Sequence, residues 1–143
     1  GLGTSGTLMG VGTYLKEQKP DVKIYAVEPP SGERVEGLRS LDEGFIPPVF
    51  DESVLDGRTV VGSQNSFAGT KELMDKEGIF AGISAGAALR AAQRTGAKYT
   101  ERGEKANIVM LFADGGWKYL SAGTFTRDLD EMDDDFEGGV NWW

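Results

Sequence analysis

The sequence has no histidine and no cysteine among its 143 residues. Without imidazole or thiol there can be no Ser-His-Asp or Cys-His nucleophile, no imidazole or thiolate metal site, no disulfide and no iron–sulfur cluster. Any catalysis must come from carboxylates, lysine, hydroxyls, the backbone or a borrowed cofactor. Long apolar runs are also missing. The longest, Ile108 to Ala113, is far below the ~18 residues that signal a membrane span. No basic-then-apolar leader opens the chain, so a cytoplasmic protein without membrane attachment is expected.

Positive charge is scarce, with 15 basic residues against 23 acidic ones and a net charge of -8. The excess sits at the end, where Asp128, Asp130, Glu131, Asp133, Asp134, Asp135 and Glu137 follow one another without a base. The preceding body is nearly neutral and lacks a basic stripe, which disfavours nucleic acid as a partner. We divide the chain into one α/β domain over 1–127 and an acidic tail over 128–143. A calcium loop starting at Asp128 is rejected because Met132 would fall at its fifth position and Asp133 where glycine is required. No metal site is expected.

Glycine, by contrast, is abundant, at 21 residues, about twice the ordinary share of ~7%. A loop over Gly1–Gly6 feeds a helical pattern from Thr7 to about Gln18, with Leu8, Val11 and Leu15 on one face and Lys19-Pro20 as its stop. Lys23–Glu28 reads as a strand closed by Pro29-Pro30. The stretch to Asp56 reads as a functional loop with at most a short helix near Ser31–Leu38. Thr59–Val61 is a short strand candidate. Ser66–Glu77 is a helix with Phe67, Leu73 and Met74 inward, ended by Gly78 in the left-handed conformation. Ile79–Ala81 can form another short strand, Ser84–Arg94 is helical, and the apolar run Asn107–Ala113 marks a strand buried on both faces of a parallel sheet. The expected fold is α/β, a mostly parallel sheet flanked by helices.

Gly1-Leu2-Gly3-Thr4-Ser5-Gly6 satisfies G-x-G-x-x-G, opens a helix, and is followed about twenty residues later by Glu28 at a strand end. That is the pattern of a dinucleotide-binding unit. In either a dinucleotide or a simpler phosphate site, glycines let backbone N–H groups approach an anion at a positive helix N-terminus. The hydroxyls of Thr4, Ser5 and Thr7 suit a single terminal phosphate better than a pyrophosphate. A structural turn with a Ser/Thr cap stays open as the plain alternative. Trp117-Lys118-Tyr119, without surrounding bases, reads as packing beside a strand end and not as a nucleic-acid platform.

Gly3-Thr4-Ser5-Gly6-Thr7-Leu8-Met9-Gly10, taken together with Glu77-Gly78-Ile79-Phe80-Ala81-Gly82-Ile83-Ser84-Ala85-Gly86-Ala87-Ala88, resembles the pyridoxal-phosphate-dependent cysteine synthases of fold type II. The resemblance extends through Val27-Glu28-Pro29, Gly44-Phe45-Ile46-Pro47-Pro48 and Asp114–Ser121. It is closest to the actinobacterial O-phosphoserine sulfhydrylase, or cysteine synthase B, branch through Gly37-Leu38-Arg39-Ser40-Leu41-Asp42-Glu43-Gly44-Phe45.

The resemblance implies pyridoxal 5'-phosphate as cofactor, with its phosphate held by Gly3, Thr4, Ser5, Gly6 and Thr7 and its pyridine nitrogen met by Ser84. A hydroxyl is too weak an acid to keep that nitrogen protonated, which favours β-replacement over transamination. Ser84 as a simple helix cap remains the alternative. Arg39 is implied to grip the phosphate of a phosphoserine substrate, where a plain solvated arginine would do nothing. The acetylserine-using branch has a glycine-rich loop where this chain has charged residues.

The Schiff-base lysine of the family lies in the half before the phosphate loop, and no lysine here sits in its Ser-x-Lys context. The chain is therefore read as roughly the C-terminal half of such an enzyme, inactive alone. The substrates implied are a small amino acid and a sulfur donor, free or on a carrier protein, and the assembly implied is a homodimer. Two rival readings are a Rossmann dinucleotide binder, which needs Glu28 facing a ribose, and a non-catalytic anion-binding domain, supported by the absent lysine.

Overall fold

The computed structural model describes residues 1–126; the acidic tail, with the rejected calcium loop, lies outside the described residues. Helix α1 (Gly6–Gln18), strand β1 (Tyr25–Glu28), strand β2 (Gly57–Val60), helix α2 (Ser63–Glu77) and helix α3 (Ile83–Glu101) follow in that order, with 3-10 turns at Leu41–Glu43, Glu52–Val54 and Gly116–Ala122. β1 and β2 pair in parallel, with Tyr25 opposite Gly57 and Glu28 opposite Val60. The α/β class and the parallel pairing match expectation, in a sheet of two strands among the described residues.

α1 stops where Pro20 cannot continue it, but the face it buries differs from the expected one. Met9 and Gly12 are buried, whereas Val11 and Leu15 are exposed. Gly12 decides this: a Cβ there would lie 2.8 Å from Val54 Cγ1 and 3.3 Å from Ile24 Cγ2. The helix therefore approaches Ile24 and Val54 on a glycine, and Val11 and Leu15 are left exposed.

α2 and α3 pack against each other, again through glycine. A Cβ on Gly86 would run into Ser66 O and Thr70, and one on Gly69 would stand 2.5 Å from Gly86 O. Thr70 is buried there and satisfies its hydroxyl by donating to Ser66 O at 3.0 Å. Phe67 and Leu73 point inward as expected; Met74 is exposed, lying one residue off that stripe. Gly78 closes α2 at φ 66°, with its N–H on Met74 O and the Ile79 N–H on Leu73 O. Val27 and Val61 pack on Ala87 and Ala91 of α3, and Val35, Phe67 and Ile83 form a second cluster bridged to the first by Leu38.

The stretch expected to be a loop with at most a short helix near Ser31–Leu38 has no helix there; its helical turn comes later, at Leu41–Glu43, where the Ser40 hydroxyl caps the Asp42 N–H. Two further expectations are corrected. Ile79–Ala81 is reduced to one antiparallel bridge, Ala81 to Gly115. The run Asn107–Ala113 is not a buried strand: Met110 and Phe112 are partly buried, while Val109 is 94% exposed and Leu111 53%. A continuous apolar run records that two faces want cover without recording what covers them, and among the described residues no strand pairs with this one.

Candidate functional site

The opening residues lie between β1 and the long loop. The Leu2 N–H donates to Val27 O at 2.7 Å, and Leu2 O accepts the Arg39 N–H at 2.7 Å, with the Leu2 side chain fully buried. Next along the chain, a Cβ on Gly3 would stand 2.6 Å from Gly37 O. Gly37 itself has φ 84°, a conformation that favours glycine, and a Cβ there would be 3.9 Å from both Cβ and Oγ of Ser84. Gly37 thus joins the two motifs that the sequence separates by some eighty residues. Sequence reading quoted this glycine but gave it no role.

Ser5 takes the N-cap position of α1 at φ 69° and is the one non-glycine residue with positive φ among those described. Such a conformation costs about 1–3 kcal/mol and needs a reason to persist. Its hydroxyl does not cap the helix; Oγ is buried without a hydrogen-bond partner among the described residues. The first turn of α1 carries no acid and no side-chain cap, so its leading N–H groups have no intrahelical acceptor. Thr4, Gly6 and Thr7 are exposed around them. This arrangement does not fit the capped structural turn, because the hydroxyl that should cap is turned elsewhere.

Ser84 lies in the first turn of α3, half-buried, and is not its cap: Gly82 holds that position, without a side-chain hydrogen bond. Asp114 and Tyr119 press on Gly82, where a Cβ would clash with Asp114 Oδ1 and stand 2.7 Å from Tyr119 Cε2. The Tyr119 hydroxyl donates to Asp114 Oδ2 at 2.7 Å. Burial, helped by this acceptor, pushes the Tyr119 phenol far above its ordinary range. Burial also raises the Glu36 carboxyl, next to Gly37. Asp114 and Glu36 were given no role from the sequence, whereas Tyr119 was read as packing beside a strand end. Trp117, expected to pack, is 64% exposed and lies over Gly115; its neighbour Tyr119 takes the inward position.

Arg39 is exposed at the rim, two residues beyond Gly37, with its guanidinium 5.2 Å from the Phe45 ring centre. Glu28 overturns the dinucleotide reading. It is 1% exposed and already bonded, accepting from the Leu41 N–H at 2.8 Å and from Arg58 Nη1 at 2.9 Å, and so faces no ribose.

The residues present fit a cofactor that ends in a phosphate and carries a ring nitrogen. A buried unpartnered hydroxyl and free amides lie at one helix start, and the Ser84 side chain lies at a second, reached through Gly37. Comparison with known proteins agrees. Residues 1–114 match the family described as "Pyridoxal-phosphate dependent enzyme". A cysteine synthase of Aquifex aeolicus is 38% identical over 127 residues, 88% of this chain and 39% of that protein. Cysteine synthase B of Pseudomonas aeruginosa is 35% identical over 87% of this chain and 40% of its own length. The crystal structure of O-acetylserine sulfhydrylase isoform 3 from Entamoeba histolytica superposes with a TM-score of 0.79 at 30% identity, covering 92% of this chain and 43% of that one. The chain spans about two fifths of the length of these relatives. Gly3, Ser5, Gly37 and Ser84 all lie within the matched residues, and the chain belongs to the pyridoxal-phosphate dependent enzyme family.

Proposed function

We propose that this chain is the phosphate- and pyridine-binding part of a cysteine synthase, which replaces the activated β-oxygen of a serine derivative by sulfur. The observation that carries this reading is that Gly37 stands against both Gly3 of the first motif and Ser84 of the second, with the buried, unpartnered hydroxyl of Ser5 two residues beyond Gly3. Gly3, Thr4, Ser5, Gly6 and Thr7 would hold the phosphate with backbone N–H groups and hydroxyls, aided by the α1 dipole. Ser84 would offer its hydroxyl to the pyridine nitrogen. When bound, pyridoxal phosphate supplies an electron sink at the α-carbon of an amino acid. With a hydroxyl at that nitrogen the sink stays shallow, which favours loss of a β-substituent over transamination. The Schiff-base lysine is assigned to a part of the enzyme preceding this chain, so the chain alone is expected to be inactive. The reading also carries the cytoplasmic homodimer and the small amino-acid substrate that the resemblance implies.

For the substrate we favour phosphoserine over acetylserine, although the neighbour from Entamoeba histolytica is named for acetylserine. Arg39 supports this, since an exposed guanidinium beside the site can meet a phosphate with two N–H donors. The test measures both substrates in the full-length protein with Arg39 and with Arg39→Ala. Losing charge-assisted hydrogen bonds worth about 1.5–3 kcal/mol should lower kcat/KM for phosphoserine roughly ten- to a hundredfold. Acetylserine, which has no dianion, should change little. An equal loss for both would remove Arg39 from substrate recognition, and absence of cysteine from either substrate in the wild type would sink the wider proposal.

A further inference from the structure

Glu28 is the last residue of β1 and is almost completely buried, a costly place for a carboxylate. Both of its oxygens are engaged with parts of the molecule distant in sequence. Oε2 accepts the Leu41 N–H at 2.8 Å, and Oε1 accepts Arg58 Nη1 at 2.9 Å. Arg58 belongs to β2 and reaches outward to Asp42 Oδ1 at 3.8 Å. Glu28 at the end of β1 and Arg58 of β2 therefore hold residues 41 and 42 of the loop together.

Arg39 lies just upstream of this anchor, and a second anchor holds it from the other side, its own N–H on Leu2 O at 2.7 Å. Between the anchors Ser40 is buried and caps Asp42. The backbone at 39–41 is thus tied at both ends, and only the Arg39 side chain projects into solvent, where the Phe45 ring supports it. An apolar residue at position 28 could fill the space more cheaply, but it could not accept the Leu41 N–H or engage Arg58.

We propose that Glu28, with Arg58, is a positioning residue for substrate discrimination: the buried pair sets the loop that carries Arg39 and so fixes the guanidinium where a phosphate arrives. This rests on the reading of Arg39 given above. It extends that reading to two residues that touch neither substrate nor cofactor.

The experiment uses the full-length protein with Glu28→Gln, which keeps size and one acceptor but removes the charge facing Arg58. Arg58→Met serves as a second variant that breaks the same pair from the other strand. Hydrogen exchange is read first, without turnover. Peptides covering 37–45 should exchange about tenfold or more faster in both variants, while peptides of α2 and α3 stay unchanged. The preference for phosphoserine over acetylserine in kcat/KM should then fall by about tenfold. Combining either variant with Arg39→Ala should lower that preference no further than Arg39→Ala alone, as for residues acting through one another.

Faster exchange spread evenly over the protein, or unchanged exchange at 37–45, would overturn the clamp. So would a preference that survives both variants while Arg39→Ala abolishes it. If Arg39→Ala itself leaves the preference intact while 37–45 loosens in the clamp variants, the phosphate reading of Arg39 fails and the positional role in discrimination fails with it; the two failures are told apart by which variant moves which readout.

Discussion

At the scale of single residues, the proposed site relies on hydroxyls where charged groups could have served. Ser84 is placed in the first turn of α3 without serving as its cap, so its hydroxyl is free for a partner near Gly37. Ser84→Ala in the full-length protein should cost one hydrogen bond to the cofactor, ~0.5–1.5 kcal/mol, and weaken pyridoxal-phosphate binding by up to about tenfold. Ser84→Asp is the sharper change. A carboxylate there would hold the pyridine nitrogen protonated, so a larger fraction of turnovers should end in transamination. The helix itself should tolerate an acid in its first turn, where the macrodipole favours negative charge, so a folded protein is expected. Measuring product partition with one substrate decides the matter, and an unchanged partition in Ser84→Asp would remove Ser84 from the ring nitrogen. The Glu28 correction belongs to the same scale. Sequence placed an acid at the end of a strand after a glycine loop, and only the geometry shows both its oxygens already taken.

At the scale of elements, a glycine beside the proposed cofactor serine governs packing. Gly86, in the motif that carries Ser84, faces α2 so closely that a methyl group would enter Ser66 O and Thr70. Backbone atoms there cannot swing aside as a flexible side chain could. Gly86→Ala should therefore destabilise the chain by ~3 kcal/mol or more, measured by urea unfolding, whereas Gly10→Ala, with open space at its Cβ, should change stability little. Equal effects of the two would mean that α2 and α3 are not in close contact. The ends of α1 and α2 were legible because Pro20 and Gly78 stop helices by local backbone chemistry. Inward faces were less legible. For α1, hydrophobicity pointed to Leu8, Val11 and Leu15, while close approach selected Gly12 and Met9. The strand expected over 107–113 failed for a related reason: strand pairing is a property of neighbours, and composition carries no record of them. The two site motifs were legible as short patterns. Their bridge, Gly37, was not, because a positive φ in a long loop leaves little trace in one sequence.

At the scale of the whole molecule, the question is which nucleophilic amine could take part in chemistry at this site. A lysine that condenses with a carbonyl must reach it as the neutral amine, and neighbouring carboxylates oppose that by favouring the ammonium form. Lys16 and Lys23 both bond Asp56, at 2.8 and 3.1 Å, on the far side of α1 from its N-terminus. These contacts, Lys16 foremost, hold the Asp56 carboxyl down at about 2, and the same aspartate raises Lys23 further from neutrality. Lys76 bonds Glu72 on the surface of α2. Lys118 bonds Asp114, which presses on Gly82 before Ser84, but its amine is 3.6 Å from Asp114 Oδ2 and more than half exposed. None of these four is a desolvated, cation-flanked amine of the kind that such chemistry uses; of the other four lysines, Lys19, Lys98 and Lys105 are exposed and Lys71 is only partly buried. We therefore expect the 143-residue chain, incubated with pyridoxal phosphate and reduced with borohydride, to carry only scattered labelling well below one equivalent at any lysine. Peptide mapping by mass spectrometry reads this directly. One lysine labelled stoichiometrically, with Lys118 the position to inspect first, would show that the chain holds its own carbonyl-binding amine, and the assignment of that lysine to a preceding part of the enzyme would have to be abandoned.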